Sequence, residues 1–356
     1  MSVAGTGVGV VLVNLGTPDD PSLAAVQRYL REFLTDRRII PLNPLLWRPV
    51  LELKVLQVHA RSSAEKYASV WTEAGSPLMV HATAQATALA AELGPGVTVA
   101  TAMRYGSPSL GSVLDRLAAE GINRVLVLPM YPQFSVTTVA TVMDALAGYI
   151  QSRHNQLEYR TVRDFHSDPG YIDACARLIE RSWAEHGRPD FAAGDRLLLS
   201  YHGIPVQAVE AGDTYPQECE ATTGLLRARL GLGEGDCVMT YQSKFGRGQW
   251  LTPATIEEVA RLASSGVKRL DVFCPGFVAE CLETEEEIDL LNREEFLAHG
   301  GQSFHRVPCL NADPDWIRAL AVLVGRQLAG WIQDPVTAGV EGLDRGRRQG
   351  LAGLIA

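Results

Sequence analysis

Short apolar runs alternate along the chain with longer stretches in which apolar residues recur at helical spacing. Residues 8–14 (VGVVLVN) form a β-branched run that ends near Gly16, which is typical of a strand buried on both faces of a parallel sheet. Residues 22–34 instead place Leu23, Val26 and Leu30 on one face of a helix. This alternation predicts βαβ units and an α/β fold with parallel sheets.

The same pattern repeats through most of the chain. We predict strands at residues 8–14, 97–103, 124–130, 196–201, 237–242 and 269–274. We predict helices at residues 22–34, 109–119, 138–150, 171–183, 216–229, 254–264, 280–298 and 315–330. Gly121 and Gly266 each connect a predicted helix to a strand that leads into a proline-containing turn. This echo fits two domains built on one plan, although any two βαβ units look alike.

Length and charge narrow the class of protein. A chain of 356 residues suggests two domains, at roughly 100–200 residues per domain. The formal net charge of −9 argues against a nucleic-acid binder, which needs a basic face for phosphates. No basic segment precedes the first apolar run, and no run approaches the roughly 20 apolar residues that span a bilayer. We therefore expect a cytoplasmic protein, and no oligomeric state is predicted.

The cysteines and the C-terminal residues carry weaker signals. None of the six cysteines forms a CxxC pair, so we expect reduced and mostly buried thiols. Residues 334–356 are rich in glycine and lack a sustained apolar face, which predicts a mobile tail. An alternative for this tail is a weak peripheral association with a membrane surface through its basic residues Arg345, Arg347 and Arg348.

His202 is the strongest candidate for chemistry. It follows the predicted strand at 196–201 directly and precedes Gly203 and Pro205. Ligands of open parallel sheets bind beyond the carboxyl ends of the strands, where a neutral imidazole can accept a proton near neutral pH. The alternative is a structural histidine that bonds a loop carbonyl.

An acidic stretch is the second candidate. Glu280, Glu283 and Glu287 are spaced i, i+3, i+7, so a helix would align them along one face. Such an acid row can hold a divalent cation or relay protons. The alternative is that acids gather in a first helical turn because they complement the helix dipole, which suits Glu285 and Glu286.

Aromatic and basic residues occupy the other strand ends. Each is more often a packing residue, but together they predict a slot for a large planar anionic ligand. No phosphate-binding loop accompanies them. The set comprises Arg104, Tyr105, Tyr131, Phe134, Lys244, Phe245, Arg247, Trp250 and Phe277.

The segment LSYHGIP at 199–205 resembles the signature of the ferrochelatase family, whose members insert ferrous iron into a porphyrin. Similar segments are VNLGTP at 13–18, YPQ at 131–133, GDTYPQ at 212–217, YQSK at 241–244, WLTP at 250–253, PGF at 275–277 and LET at 282–284. The similarity runs from about residue 8 to 332 and is greatest to the enterobacterial branch. It implies two Rossmann-like domains with a cleft between them. We expect the first domain to comprise residues 8–163 and 314–333, and the second to comprise residues 164–313.

The resemblance implies roles for individual residues. His202 takes the position of the active-site histidine, proposed to accept pyrrole protons or bind metal, and Glu283 that of the glutamate facing it. Glu287 matches the next acid of that helix, and Glu280 stands where relatives usually have aspartate. Porphyrin-pocket positions are occupied by Leu15, Ser76, Arg104, Tyr105, Tyr131, Trp250 and Phe277.

The departures from the family pattern refine the expectation. Some relatives carry an iron–sulfur cluster, but Val136 stands at one cluster-cysteine position and no cysteine follows Cys309, so no cluster is expected. Relatives acting on coproporphyrin often have tyrosine at the position of Leu15, which favours protoporphyrin here. The implied substrates are protoporphyrin IX and Fe²⁺, in the last step of haem biosynthesis, without a further cofactor. The alternatives are a chelatase for another metal or tetrapyrrole, and a non-catalytic haem-binding protein.

Overall fold

The computed structural model describes residues 7–244 and 248–332. The predicted tail at 334–356 lies outside the described residues, as do Phe245 and Arg247. Within the described ranges, no helix is long and apolar enough to cross a membrane.

The first half of the chain forms a sheet of four parallel strands. These are β1 (Val8–Thr17), β2 (Val97–Gly106), β3 (Arg124–Pro129) and β4 (Glu158–Thr161), in the spatial order β2-β1-β3-β4. Its helices are α1 (Leu23–Thr35), α2 (Pro44–Val50), α3 (Leu56–Val70), α4 (Pro77–Leu93), α5 (Leu110–Ala119) and α6 (Val139–Ser152), with a π-helical turn at Leu51–Val55. Val10 of β1 packs in the core with α4 and Val11 in the core with α5 and α6, so helices cover both faces of the strand.

The second half repeats this architecture. Its strands are β5 (Arg196–His202), β6 (Cys237–Gln242), β7 (Arg269–Phe273) and β8 (Ser303–Arg306), parallel and in the order β6-β5-β7-β8. Its helices are α7 (Pro169–His186), α8 (Val206–Glu210), α9 (Tyr215–Leu230), α10 (Thr255–Ser264), α11 (Arg293–Ala298) and α12 (Pro314–Leu328). In each half the first strand lies between the second and third, so the two sheets share one topology, and the predicted class of two Rossmann-like parallel sheets is confirmed.

The last helix joins the two halves. α12 packs against α4 of the first half and α7 of the second. Trp316 of α12 is fully buried and stacks on Phe165 at 5.8 Å between ring centroids. One hydrophobic core therefore runs through both halves, and the domain boundaries given above stay a prediction.

The predicted helix at 280–298 differs from the observed structure. A π-helical segment, Glu283–Asn292, precedes α11, and Glu280 lies before either begins. Asn292 supports the wide last turn because its Nδ2 donates a hydrogen bond of 2.7 Å to the Glu287 carbonyl. We call residues 283–292 the acidic segment.

Candidate active site

His202 is the last residue of β5 and lies half-buried at the carboxyl edge of the second sheet. Its Nδ1 atom lies 2.7 Å from the backbone oxygen of Gly203. A carbonyl oxygen only accepts hydrogen bonds, so Nδ1 carries the hydrogen and the lone pair of the neutral ring resides on Nε2. The carbonyl contact expected of a structural histidine thus selects the tautomer that a base or metal ligand needs.

The turn after His202 is held by close backbone contacts. The Gly203 N–H donates to the Gln242 carbonyl at 2.7 Å, and a Cβ on Gly203 would lie only 2.9 Å from that oxygen. The same Cβ would lie 3.4 Å from the indole of Trp250, which pairs with Pro205 in an isolated β-bridge. These contacts fix the direction in which the strand presents His202.

Glu287 lies near His202 and is held by residues at the end of β6. Its carboxylate accepts a hydrogen bond of 2.7 Å from the Ser243 backbone N–H and another from the Ser243 hydroxyl. Burial raises the pKa of Glu287 above its usual range and the charge of Glu283 adds to the rise, whereas Ser243 and His202 oppose it. His202, Glu283 and Glu287 therefore form one electrostatically linked group, which we call the reactive group.

Glu283 connects this group to the first half of the chain. Its backbone carbonyl accepts a hydrogen bond of 3.1 Å from Gln242 Nε2. Burial raises the pKa of Tyr29, Tyr67 and Tyr131, and the negative charge of Glu283 contributes to each rise. Glu283 therefore lies within electrostatic range of His202's neighbour Glu287 on one side and of first-half tyrosines on the other.

Glu280 has a different environment and does not continue the row. It is 3% exposed, and one carboxylate oxygen accepts bonds of 2.6 Å from Arg306 and 2.8 Å from the Cys309 N–H. Burial alone would raise the pKa of Glu280, but the Arg306 charge and the hydrogen bonds from Thr284 and Cys309 outweigh it and hold the pKa below its usual range. The predicted alignment of three acids on one helical face is wrong for Glu280, because it precedes the helix and pairs with Arg306.

Arg104 and Tyr105 lie at the end of β2 and share a carboxylate that the sequence did not single out. Arg104 forms an ion pair with Asp36, and the Tyr105 hydroxyl donates to the same carboxylate at 2.9 Å. Arg104 Nε also donates to the Thr141 carbonyl at 2.9 Å. The charge of Arg104 is therefore already compensated within the first half.

The other predicted pocket residues occupy varied positions. The Phe277 ring lies 6.4 Å from the His202 ring between centroids, whereas Trp250 lies beside the turn after His202. The Tyr131 hydroxyl is buried and has no hydrogen-bond partner among the described residues. Ser76 is buried, and its hydroxyl caps α4 by accepting from the Met79 N–H at 3.3 Å, while Leu15 is half-buried on β1.

Sequence reasoning missed Asp36, Ser243, Tyr29 and Tyr67 as members of this region. Ser243 directly follows the predicted strand at 237–242, so the strand-end rule could have identified it. Tyr29 lies on the predicted helix at 22–34 and Asp36 just beyond it, but no local pattern distinguishes them from packing or surface residues.

A separate set of potential metal ligands lies outside the reactive group. Ligand atoms of Asp164, His166 and Glu218 are all within 4.8 Å of one another. Arg163 contacts Asp164 at 2.7 Å and Glu218 at 2.9 Å, so a cation already compensates both carboxylates. We interpret this set as an ion-pair network.

The fold resembles solved structures of metal chelatases. SirB from Bacillus subtilis with Fe³⁺ matches with a TM-score of 0.51 and 11% identity, over 91% of this chain and 96% of that one. The sirohydrochlorin chelatase SirB from Bacillus subtilis subspecies spizizenii, in complex with cobalt, matches with a TM-score of 0.50 and 10% identity, over 88% of this chain and 92% of that one. DR2241 from Deinococcus radiodurans is a multi-domain protein with structural similarity to chelatases. It matches with a TM-score of 0.51 and 14% identity, over 93% of this chain and 56% of that one. The chain therefore has a chelatase-type fold.

The sequence comparison is more specific than the fold. The ferrochelatase family profile matches residues 7–328, and the chain belongs to this family. The protein is accordingly a metal chelatase of the lyase class, whose substrates are a tetrapyrrole and a metal ion.

Proposed function

We propose that the protein inserts Fe²⁺ into protoporphyrin IX to form protohaem, with release of two protons. The observation that carries this proposal is the reactive group, in which an imidazole with its lone pair on Nε2 lies near a carboxylate of raised pKa. Two pyrrole protons must leave, because iron enters as a dication and the haem ring is a dianion. Neighbouring bases suit such an exchange.

Each member of the reactive group has a distinct proposed step. His202 Nε2 has one lone pair, which contacts the iron before insertion and accepts a pyrrole proton once the iron has left it. Glu283 attracts the iron dication and contacts it, since a carboxylate oxygen is a suitable ligand for a divalent metal. Glu287 takes up the second proton and passes it on, because its raised pKa lets it hold a proton closer to neutral pH.

The porphyrin would bind between the two halves. Phe277, Trp250, Tyr131 and Leu15 would contact the macrocycle and its vinyl edge. Propionates would lie toward Arg104, Tyr105 and Ser76, with Arg104 shared between a propionate and Asp36. We propose no resident cofactor and no iron–sulfur cluster.

The test is anaerobic incubation of the purified protein with Fe²⁺ and protoporphyrin IX, followed by the absorbance of haem. We expect turnover by the wild type and a loss of at least about 100-fold in His202→Ala, the scale of a lost general base. His305→Ala is the matched control, because His305 lies on the edge strand β8. An inactive wild type, or full activity of His202→Ala, would refute the respective claims.

Two alternatives are separated by the same preparation. A panel of Fe²⁺, Co²⁺ and Ni²⁺ with protoporphyrin IX and sirohydrochlorin would reveal a chelatase of other specificity. Tight retention of added haem without turnover of any pair would indicate a non-catalytic haem-binding protein.

We also propose a weak peripheral association with membranes through α2 and its neighbours. Leu45, Leu46 and Leu53 are 82%, 74% and 80% exposed, an unusual exposure for three leucines so close together. Arg48 and Lys54 lie exposed among them and would favour anionic lipid headgroups. This location differs from the basic tail that the sequence suggested.

Vesicle co-sedimentation tests this association. We expect binding to vesicles that contain phosphatidylserine, weaker binding to pure phosphatidylcholine, and a several-fold loss in a Leu45→Ser/Leu46→Ser variant. Leu225→Ser is the control, since Leu225 is 40% exposed on α9. Wild-type protein that stays in the supernatant with both vesicles would rule the association out.

A further inference from the structure

The acidic segment is held from two sides. On the side of the second sheet, Ser243 binds the Glu287 carboxylate and Gln242 binds the Glu283 carbonyl. On the other side the segment contacts α3 of the first half. Its position is therefore set by both halves of the chain.

The contact with α3 combines an apolar and a charged part. Leu282, the residue before the acidic segment, packs into a cluster formed by Val26, Ala60, Ala64 and Tyr67. Beside it, Lys66 Nζ donates a hydrogen bond of 2.8 Å to Glu286 Oε2. The α3 residues of this cluster and Lys66 therefore meet opposite ends of the Leu282–Glu286 stretch.

The ion pair is formed where negative charge accumulates. Glu283, Glu285, Glu286 and Glu287 occupy the first turns of the acidic segment, and like charges this close repel one another. The second half's cations near the segment, Arg293 and Arg306, pair with Asp289 and Glu280 instead. Among the described residues, Lys66 is the first-half cation whose ion pair with this segment is observed.

We propose that Lys66 is a positioning residue for metal insertion, and this inference rests on the proposed function. Its ion pair with Glu286 holds the acidic segment against α3 and so sets the distance of Glu283 from His202. The pair is a partly exposed one, with side chains 43% and 17% exposed, so it contributes little to the stability of the whole fold. Its effect is on geometry, and small displacements of reacting groups are costly to rate.

The first test is kinetic. We expect Lys66→Met to lower kcat by about tenfold with less than about a twofold change in the porphyrin KM, because a displaced group slows the chemical step more than binding. Lys66→Arg should restore most of the rate. Glu286→Gln should resemble Lys66→Met, and the double variant should be no slower than either single one, as expected for two residues that act together.

An ion pair elsewhere on the surface separates positioning from the general loss of one exposed cation. Arg177→Met is the matched control, because Arg177 forms an i,i+4 ion pair with Asp173 on α7. It should leave both kcat and the porphyrin KM unchanged.

Hydrogen exchange provides a readout that needs no turnover. We expect faster exchange across residues 283–292 in Lys66→Met, and wild-type rates in Lys66→Arg and Arg177→Met. Unchanged exchange and unchanged kcat in Lys66→Met would overturn the inference while leaving the proposed function intact. Faster exchange in Lys66→Met, when the wild type forms no haem, would instead refute the proposed function and with it the role of Lys66 in metal insertion.

Discussion

The central strands β1 and β5 occupy equivalent places in sheets of the same topology, yet their carboxyl ends differ in chemistry. At the end of β1 the chain is tightly closed, since Gly16 has a φ of +125° and a Cβ there would lie 1.8 Å from the Tyr105 carbonyl oxygen. At the end of β5, His202 is half-buried with its lone pair on Nε2, near Glu287 with its raised pKa.

This difference shows that the shared topology fixes where the strand ends lie, whereas individual side chains determine the chemistry at those ends. Both sheets deliver strand ends to one edge, as the fold requires. In the first half, the polar groups at this edge compensate one another through Asp36, Arg104 and Tyr105. In the second half, compensation is incomplete around Glu287, whose pKa is raised by burial, as the proposed proton transfer requires.

The largest expected effect comes from breaking the closed end of β1. Gly16→Ala should lower the free energy of unfolding by at least about 4 kcal/mol or prevent folding, because the new Cβ collides with backbone. Urea unfolding followed by circular dichroism measures the loss. Gly94→Ala, also at positive φ but with no atom within 4 Å of the added Cβ, should cost only about 1 kcal/mol. Equal losses would mean that the close approach is unimportant.

A second experiment separates Glu280, which is held in an ion pair, from the acids to which we assign catalytic roles. Glu280→Gln should cost about 3 kcal/mol at pH 7, because Arg306 is left largely buried without its counter-charge. The folded pKa of Glu280 is lowered, so the pair's contribution is present above the ordinary value of 4.5 and is lost as pH falls through the folded pKa.

Urea unfolding from pH 7 down to about pH 3.5 checks the sign of this dependence. The difference in free energy of unfolding between wild type and Glu280→Gln should become smaller at the acidic end of this range. Glu285→Gln is the control, because Glu285 is half-buried in the acidic segment and its pKa is raised by burial, so no stabilising ion pair is lost. A gap that stays constant with pH would contradict the assignment of Glu280 as an ionised partner of Arg306.

The smallest expected effect comes from a substitution next to Glu287, which tests its proposed role. Ser243→Ala removes a hydrogen bond that lowers the pKa of Glu287, so this pKa should rise further. We expect kcat to fall by up to about tenfold and the acidic limb of its pH profile to move up by about half a pH unit. Ser152→Ala, at the exposed end of α6, should change neither quantity. An unshifted limb would show that Glu287 does not limit the rate in this pH range.

Local signals account well for the parts of the fold that were predicted. The β1 and β5 strands are continuous apolar runs, and α1 has a clear apolar face. The helix α4 was not predicted, although Ser76 and Pro77 form a typical helix start and Gly94 a typical end. The strands β4 (EYRT) and β8 (SFHR) could not be recognised, because they are short, polar edge strands whose pairing comes from a neighbour.

The sequence alone determined the α/β alternation and the position of His202 at a strand end, because periodicity and strand-end position are local properties that tertiary contacts seldom reverse. Only the tertiary structure decided which charges meet. Lys66 with Glu286, Asp36 with Arg104, and Glu280 with Arg306 are partners far apart in the chain. Burial and neighbouring charge then determine which carboxylate is locked in an ion pair and which has a raised pKa, and neither quantity exists before the chain has folded.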